Sequence, residues 1–477
     1  MKELSEPDFI TEPSRNVLVY RRCDVLVVGD GPAGCAAAVS AARMGAAVVL
    51  VERYGHLGGM STGGFVLWID RMTDWEGRQV VPGIANDILE RIPDDDVLRP
   101  PPELWGSRDE DQVAYWQDRT NAFQGTATWS PTVDPEMLKL AYMDLTLESG
   151  VKLLLHSWGV ATVMDGDEVQ GLIFESKSGR QAILAGVTID TTGDGDVFAL
   201  AGAEFETNTH RDDPNPGNVE FAIAYNIHDR MNISVRWGSV DMERYREFKN
   251  GKPDAYQQVM SKGRAIGVTD RPFPMPRADL SLFMALKLSG QSPLNFDDLT
   301  TVEVEGRRRM MVMFDFYRRN MPGFENAWIV DTSPQVGVRH SRRLSGVKRM
   351  AREDWQEGVI HDDEIGVSPS PNRRFPNVSV PLNCLAPESP NDLMAAGRNL
   401  SSDPATHSFM REVPQCWLMG QAAEIAAASA ASAGIRVRDV DVDAARLGLQ
   451  NQGVVLTRSA QARSDEADSG TDSECTR

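Results

Sequence analysis

The part of the chain that most constrains its fold is a glycine-rich turn between two apolar runs near the N-terminus. Residues 24–28 form a short, mainly apolar run typical of a strand, and Gly29, Gly31 and Gly34 follow it in the spacing GxGxxG. An alanine-rich stretch over residues 35–44 predicts a helix that Gly45 ends, and residues 47–51 predict a second buried strand. This β-α-β pattern is the fingerprint of a dinucleotide-binding fold.

Each residue of the fingerprint has a predicted role in holding the dinucleotide. Gly29 allows a tight turn, Gly31 lets the backbone approach a diphosphate, and Gly34 lets the helix pack closely on the strand. The diphosphate then lies at the helix N-terminus, where free N–H groups favour an anion. Glu52, at the end of the second strand, is placed to accept hydrogen bonds from a ribose diol. The same segments add Pro32, Ala33 and Arg53 to the predicted cofactor-binding residues.

A second glycine-rich loop favours a flavin over a nicotinamide. Gly58, Gly59 and Met60 lie in this loop, just beyond the acidic residue. Flavoproteins use such a loop to carry the chain past the pyrophosphate and the flavin ring, whereas nicotinamide dehydrogenases have no general need for one. The sequence therefore predicts FAD as the cofactor. We expect it to be bound non-covalently, because His56 fits a packing position better than an attachment site.

The composition of the chain disfavours several classes of binding partner. The 477 residues carry a formal net charge of -20, which disfavours nucleic acid and anionic membranes. No apolar run reaches the roughly eighteen residues of a membrane span, and the N-terminus lacks the pattern of a secretory signal. Five scattered cysteines without a CxxC motif fit a reducing cytoplasm and predict neither disulfides nor a metal site. Whether the chain forms a homo-oligomer is left open.

The pattern along the chain predicts a dinucleotide-binding domain that is interrupted and later resumed. The predicted segments are an N-terminal extension (residues 1–22), the first part of the FAD-binding domain (23–204, with a cap insertion at 68–132), a substrate domain (205–330), the closing part of the FAD-binding domain (331–457) and a disordered polar tail (458–477).

Local patterns predict further elements. Asp134 followed by Pro135 is typical of a helix start, and Asp196 is expected to cap the helix that follows it. The other predicted elements are an added strand at residues 17–20, a hairpin of residues 160–164 and 169–174, a strand at 219–227, a basic helix at 303–320 and an alanine-rich helix at 414–433 ended by Gly434.

With these residues together, the chain resembles the FAD-dependent oxidoreductase family of the glutathione-reductase-like flavoprotein superfamily. The resemblance covers about residues 20–455 and is carried by residues 24–34, 52–64, 189–196, 322–326, 337–343, 396–398 and 414–423. It implies an α/β fold, in which a Rossmann-like FAD-binding domain carries an inserted mixed α+β substrate domain. Position 30 is Asp where the family usually has Gly or Ala, and we expect its side chain to point to solvent.

The resemblance also implies cofactor contacts outside the fingerprint. The backbone of Val160 is expected to meet the adenine, with a plain core strand as the alternative. Thr192, Gly193 and Asp194 are expected at the adenine-side phosphates, with a strand-ending turn as the alternative. Gly397, Arg398 and Asp403 are expected in a loop against the ribityl chain and phosphates.

A helix N-terminus is expected at the flavin ring. By the resemblance, the helix after Pro414 directs its free N–H groups at the N1–C2=O edge, with Gln415 and Cys416 nearest. That edge becomes negative when a hydride reaches N5, and a helix N-terminus stabilises the charge. Cys416 is not expected to act as a redox thiol, because no resolving cysteine is near it in the sequence.

Candidate catalytic residues come from the same regions. His407 is the best candidate for a base, because an ordinary histidine pKa of about 6.5 suits proton removal. The alternative is a histidine that bonds to the flavin or to backbone. Arg339 or Arg342 can hold a substrate carboxylate by two hydrogen bonds, or face the flavin O2. A structural cluster of ion pairs is the alternative for these arginines.

The sequence predicts an FAD-dependent dehydrogenase or oxidase that takes a hydride from a small polar organic substrate to flavin N5. It contains no second strand–GxGxxG–helix unit, so oxygen or a carrier is expected to reoxidise the flavin. One alternative is an NAD(P)H-dependent flavin monooxygenase, since residues 403–407 faintly resemble a loop of aromatic hydroxylases. Another is a flavin-bearing binding or assembly protein without turnover.

Overall fold

A computed structural model describes residues 9–120, 122–207, 230–268 and 271–457 of the chain. The predicted strand at residues 219–227 and the predicted tail at residues 458–477 lie outside these ranges. None of the helices in the described ranges is both long and apolar enough to cross a membrane.

Strands β1 to β19 of the described residues are, in chain order, Leu18–Val28, Val48–Val51, Val97–Leu98, Ala122–Phe123, Thr126–Ala127, Thr132–Val133, Lys152–Leu154, Trp158–Asp165, Glu168–Ser176, Gly179–Asp190, Phe205–Glu206, Arg230–Gly238, Phe273–Pro274, Ser281–Ser289, Trp328–Thr332, Arg343–Leu344, Glu364–Ser368, Val378–Pro381 and Leu393–Ala395. Helices α1 to α12 are Pro32–Arg43, Ile84–Leu89, Glu110–Gln117, Pro135–Glu148, Asp196–Leu200, Met242–Gly251, Pro253–Arg264, Phe296–Asn320, Arg352–Glu357, Pro404–Met410, Val413–Ala433 and Val442–Asn451.

The central sheet has parallel strands in the order β7, β2, β1 and β10. The carboxyl end of β10 also pairs in parallel with β19, and its amino half pairs with the antiparallel hairpin β8–β9. This is a mixed α/β fold with a Rossmann-like sheet, as the sequence predicts. Because the carboxyl ends of parallel strands meet at one edge, the segments that follow β1, β2, β10 and β19 converge there.

The first strand is longer than predicted. Residues 17–20 and 24–28 were expected to form separate strands, but β1 runs unbroken from Leu18 to Val28. Its exposed first half lies within the predicted N-terminal extension and pairs with β10 from Leu18–Gln181 onward. The long partner strand supplies hydrogen bonds along the whole of β1, which local hydrophobicity does not reveal.

The two alanine-rich helices α1 and α11 pack against each other beside the sheet. A Cβ atom at Gly420 would overlap with the backbone of Ala33, so the helices touch backbone to backbone. Small side chains along α1 permit this approach. The contact places the N-termini of both helices at the carboxyl edge of the sheet, although they are far apart in sequence.

A second, antiparallel sheet has the order β13, β14, β12 and β15. Trp237 of β12 packs on Phe283, Tyr317 and Phe324 in a separate aromatic core. The predicted basic helix belongs to α8, which begins earlier than expected. It starts at Phe296 because the Asn295 side chain accepts hydrogen bonds from the N–H groups of Asp297 and Asp298, at 2.8 and 3.1 Å.

Glu424 of α11 is a buried acid whose removal should stabilise the fold. It is fully buried, and neither carboxyl oxygen has a hydrogen-bond partner among the described residues. Burial raises the pKa of Glu424 well above its ordinary value. The unfolded chain therefore ionises this group first, and stability falls as pH rises above the unfolded pKa of about 4.3.

We expect Glu424→Met to raise the melting temperature, by more at about pH 8 than at about pH 5. Removing an unsatisfied buried polar group contributes roughly 1–3 kcal/mol. Thermal unfolding followed by circular dichroism measures the shift, and Glu424→Gln separates loss of ionisation from loss of polarity. An equal shift at both pH values would contradict a raised pKa.

Candidate active site

A cavity of about 1760 Å³ opens at the carboxyl edge of the central sheet. This volume exceeds the roughly 300–1,000 Å³ of an ordinary ligand pocket and can accommodate a large cofactor together with a substrate. The sequence-predicted residues that line it are Gly29, Gly31, Pro32, Ala33, Glu52, Arg53, Gly59, Met60, Thr192, Gly193, Asp194, Arg339, Arg342, Gly397, Arg398, Gln415 and Cys416. Gly34, Gly58, Val160, Asp403 and His407 are not part of its wall.

The fingerprint turn has the geometry that its glycines predict. Gly29 has a φ of +101°, which favours glycine. A Cβ atom at Gly34 would overlap with the Gly29 carbonyl oxygen and would lie 2.7 Å from Oγ1 of Thr191. Thr191 donates that hydroxyl to the Gly29 carbonyl at 2.6 Å, which joins the turn to the end of β10. Gly34 is therefore a packing residue beneath the cavity wall.

Glu52 is 6 % exposed and sits at the end of β2 in the cavity wall. Its carboxylate accepts the N–H of Asp30 at 2.9 Å and the N–H of Tyr54 at 2.8 Å. These bonds orient the carboxylate, whose remaining lone pairs suit a ribose diol.

The expectation that Asp30 points to solvent is wrong, because its side chain is only 1 % exposed. The loop that begins at Gly58 covers it, and the Gly58 N–H donates to the Asp30 carbonyl at 3.0 Å.

We expect Glu52→Ala to weaken FAD retention by roughly 10-fold or more, since a hydrogen bond to a charged group contributes about 1.5–3 kcal/mol. The ratio of flavin to protein after gel filtration measures the loss. Glu168→Ala, at an exposed acid of β9, is a matched control. Full flavin content in the Glu52 variant would exclude the ribose role.

An ion-pair network joins the segment after β10 to the segment after β19. Arg398 donates to Oδ1 of Asp194 at 2.8 Å and to Oγ of Ser341 at 2.9 Å. Burial alone would raise the pKa of Asp194, but Arg398 outweighs it and holds the pKa below its usual value. Arg342 donates to the Asp194 carbonyl and to Asp196, both at 3.0 Å. Arg342 therefore belongs to a structural cluster, the alternative that was left open.

The cap of α5 differs from the prediction. Asp196 is the first residue of the helix, Gly195 is at the N-cap position, and Asp190 of β10 supplies the acceptor for the helix N-terminus instead. The Asp190 carboxylate accepts the N–H groups of Val197 and Phe198, each at 2.9 Å. Thr192, predicted at the phosphates, directs its hydroxyl to Asp190 at 2.7 Å. The carboxylate of Asp190, the last residue of β10, thus holds the segment between β10 and α5 in place.

Two helix N-termini open into the cavity without a side-chain cap. Gly31 precedes α1 and Glu412 precedes α11, and neither supplies a capping hydrogen bond. The first turns of both helices line the cavity. Uncapped N–H groups and the helix dipole favour negative charge. The residues present therefore fit FAD, with its diphosphate and its anionic reduced ring.

Three predicted site residues have structural roles. Asp403 caps α10 through the Thr406 N–H at 2.6 Å and also accepts the Arg352 N–H at 2.9 Å. Both carboxylate oxygens of Asp403 thus accept backbone N–H groups, and the residue is not part of the cavity wall. Val160 lies in β8 just beyond residues 157–159, which do line the cavity. Gly58 turns the second glycine loop with a φ of +98°.

The structure contradicts His407 as a base. Its ring is 2 % exposed and does not reach the cavity. Nε2 lies 2.8 Å from the Arg398 carbonyl oxygen, so this nitrogen donates a hydrogen bond to backbone. Burial, helped by His340, Arg343 and Arg411, lowers the pKa of His407 well below its ordinary value. The neutral ring supports the Arg398 loop from behind, which is the backbone-bonded alternative.

A polar cluster in the cavity wall, within the predicted cap insertion, was not predicted from the sequence. Asp70 and Arg71 line the cavity beside Glu412 at the start of α11. Burial raises the pKa of Asp70, with Arg71 opposing the shift. The Arg71 guanidinium lies 3.6 Å from the centre of the Trp75 ring and donates to the Ser370 carbonyl. The adjacent unlike charges of Asp70 and Arg71, in a segment rich in Trp, are the sequence feature that could have indicated this cluster.

The fold and the cavity together define a dinucleotide-binding enzyme of the flavoprotein class. A family model described as FAD dependent oxidoreductase matches residues 24–449, and the chain belongs to this family. It is therefore an FAD-dependent oxidoreductase with FAD as its cofactor. No curated protein sequence matches the chain.

Solved structures give distant likenesses. A geranylgeranyl bacteriochlorophyll reductase-like protein from Thermoplasma acidophilum is 12 % identical, with 91 % of this chain and 82 % of that chain covered and a TM-score of 0.42. The myxobacterial chondrochloren halogenase CndH is 11 % identical, with 90 % and 78 % covered and a TM-score of 0.44. The p-nitrophenol 4-monooxygenase from Pseudomonas putida is 12 % identical, with 87 % and 79 % covered and a TM-score of 0.38. None of these likenesses assigns a reaction to the chain.

Proposed function

We propose that this chain is a dehydrogenase or oxidase of a small polar organic substrate, with Asp70 as the group that removes the substrate proton. FAD, when bound, supplies at N5 the acceptor for the hydride that leaves a carbon next to oxygen or nitrogen. The single observation that carries the proposal is an ionisable acid in the same cavity as the uncapped N-terminus of α11.

The environment of Asp70 suits proton removal. Burial raises the pKa of Asp70 towards the working range of a general base. The charge of the adjacent Arg71 opposes this shift and favours the ionised carboxylate. The Arg71 N–H bond to Ser370 and the stacking on Trp75 hold this cation in place. When Asp70 takes the proton of a substrate O–H or N–H, it becomes neutral next to a fixed cation.

Two other groups complete the proposed roles. Arg339 lines the cavity and is half-buried, so it can hold a polar or anionic group of the substrate or face the flavin O2. The N-terminus of α11 stabilises negative charge that develops during the reaction, because its N–H groups are already oriented. We also propose the glutathione-reductase-like form of the fold, supported by the hairpin β8–β9 and by the return of the chain through β19.

Anaerobic mixing of the holoprotein with amines, alcohols and hydroxy acids tests the proposal. We expect one substrate class to bleach the visible absorption band of the flavin, and oxygen or an electron carrier to restore it. Rapid bleaching by NADPH without a substrate would favour a monooxygenase. Absence of bleaching by every substrate class would favour a binding protein.

A further inference from the structure

Two carboxyl groups lie close together at the fingerprint turn, which we expect to hold the diphosphate of FAD. Asp30 lies between Gly29 and Gly31, and Glu52 follows β2. Both are nearly fully buried and both line the cavity. The Asp30 N–H donates to Glu52 Oε2 at 2.9 Å, and the charge of Glu52 acts on the buried Asp30 carboxyl.

The donors around this pair do not satisfy two ionised groups. Glu52 Oε1 accepts the Tyr54 N–H, and the Gly59 N–H faces the Asp30 carboxyl. Among the described residues, none donates a hydrogen bond to Asp30 Oδ2. Two ionised carboxylates held near each other and out of water repel each other, and neither can donate a hydrogen bond unless one is protonated.

The neighbouring charges do not remove this repulsion. Arg53, which follows Glu52, is a cation whose charge acts on Asp30. The charges of Asp194 and Asp196 act on Arg53 as well. The Cys35 thiol of α1 donates to the Asp30 carbonyl at 3.0 Å and stays neutral, because burial raises its pKa. Asp194 and Asp196 also pair with Arg398 and Arg342, so Arg53 is the cation that acts on Asp30 and Glu52, and its charge is shared with these other acids.

We propose that Asp30 and Glu52 share one proton and that FAD binding tightens their hold on it. The diphosphate brings further negative charge to the same turn, and like charge disfavours the ionised form of the pair. With the proton in place, Asp30 is a neutral donor and Glu52 remains an acceptor for the ribose. The proton concerns cofactor affinity and is independent of the reaction proposed above.

The sign of the pH dependence follows from linkage. On this proposal FAD raises the pKa of Asp30, so the protein takes up a proton on binding at pH values between the pKa of Asp30 without FAD and its pKa with FAD. Within that window the affinity falls as pH rises. Below it both states are protonated and above it both are ionised, so the affinity no longer depends on this pair.

Dilution of the holoprotein tests the proposal, with free flavin measured by fluorescence over roughly pH 5 to 9. In the wild type we expect the FAD dissociation constant to rise with pH, by up to about tenfold per unit, the limit for one proton. In Asp30→Asn the constant should be flat across the same window. Glu424→Gln, at a buried acid outside the cavity wall, should keep the wild-type dependence.

A constant that is flat in the wild type, or that rises equally in the Asp30 variant, would overturn the proposal. If Asp30→Asn does not fold, Asp30→Ala replaces it in the same measurement. Infrared spectra of the holoprotein give a second readout, because a protonated carboxyl has its own carbonyl stretching band. We expect a part of that band to be lost with Asp30, and an unchanged band would also overturn the proposal.

Discussion

Replacing Asp70 with asparagine is expected to slow flavin reduction by the substrate about 10²- to 10⁴-fold, the usual effect of losing an acid–base group. Asparagine has nearly the same shape and keeps the packing against Arg71, but it cannot take a proton. Flavin content should stay at the wild-type level, because the fingerprint turn and the two helix N-termini are untouched. Stopped-flow absorbance under anaerobic conditions measures the reduction rate.

The pH profile separates a base from a structural residue. In the wild type the reduction rate should rise with pH as Asp70 ionises, at a pKa above the ordinary aspartate value because the group is buried. That rise should be absent in Asp70→Asn. Asp87→Asn is a matched control, since Asp87 pairs with Arg43 outside the cavity wall. A wild-type rate and profile in the Asp70 variant would exclude it as the base.

Substitution of Gly34 by alanine is expected to weaken FAD binding by at least roughly 10- to 100-fold, since overpacking costs about 1–3 kcal/mol and sometimes more. The new methyl group would overlap with the Gly29 carbonyl oxygen and press on the Thr191 hydroxyl. The Gly29 carbonyl belongs to the fingerprint turn that we expect to hold the diphosphate, and a backbone atom cannot swing aside. Flavin content and the FAD dissociation constant measure the loss.

Gly251→Ala is the matched control for this effect. Gly251 also lies in a helix, and an added Cβ atom meets nothing within 4 Å. Alanine there should leave flavin binding unchanged and can stabilise the helix by about 0.5–1 kcal/mol. A Gly34 variant with wild-type affinity for FAD would show that the turn tolerates displacement, and would contradict the close contact.

Predictions from the sequence succeeded where the signal is local. The hydrophobic pattern and glycine spacing of residues 24–52 predicted β1, α1 and β2, because strand and helix periods are read from neighbouring residues. Asp134 followed by Pro135 predicted the start of α4, which the structure confirms with hydrogen bonds from Glu136 and Met137. The position of Glu52 in the cavity wall follows from the same local unit.

Predictions were wrong for residues whose surroundings are formed by several segments that are distant in sequence. His407 lies next to the correct loop in sequence, but its buried ring bonds to the Arg398 carbonyl and is not part of the cavity wall. Asp30 was expected in solvent, yet the second glycine loop covers it. In both residues the direction of the side chain depends on contacts that no sequence window contains.

The sequence by itself determined that this chain holds a dinucleotide, because the turn, helix and acid that bind it form one continuous unit. It also determined the cofactor class through the second glycine loop. Only the tertiary structure decided which acids face the cavity. The contact between α1 and α11 and the return of β19 to β10 bring Asp70, Glu412 and Arg398 to one edge of the sheet. The packing of the whole fold brings these residues together, so their spacing along the chain does not predict that they line one cavity.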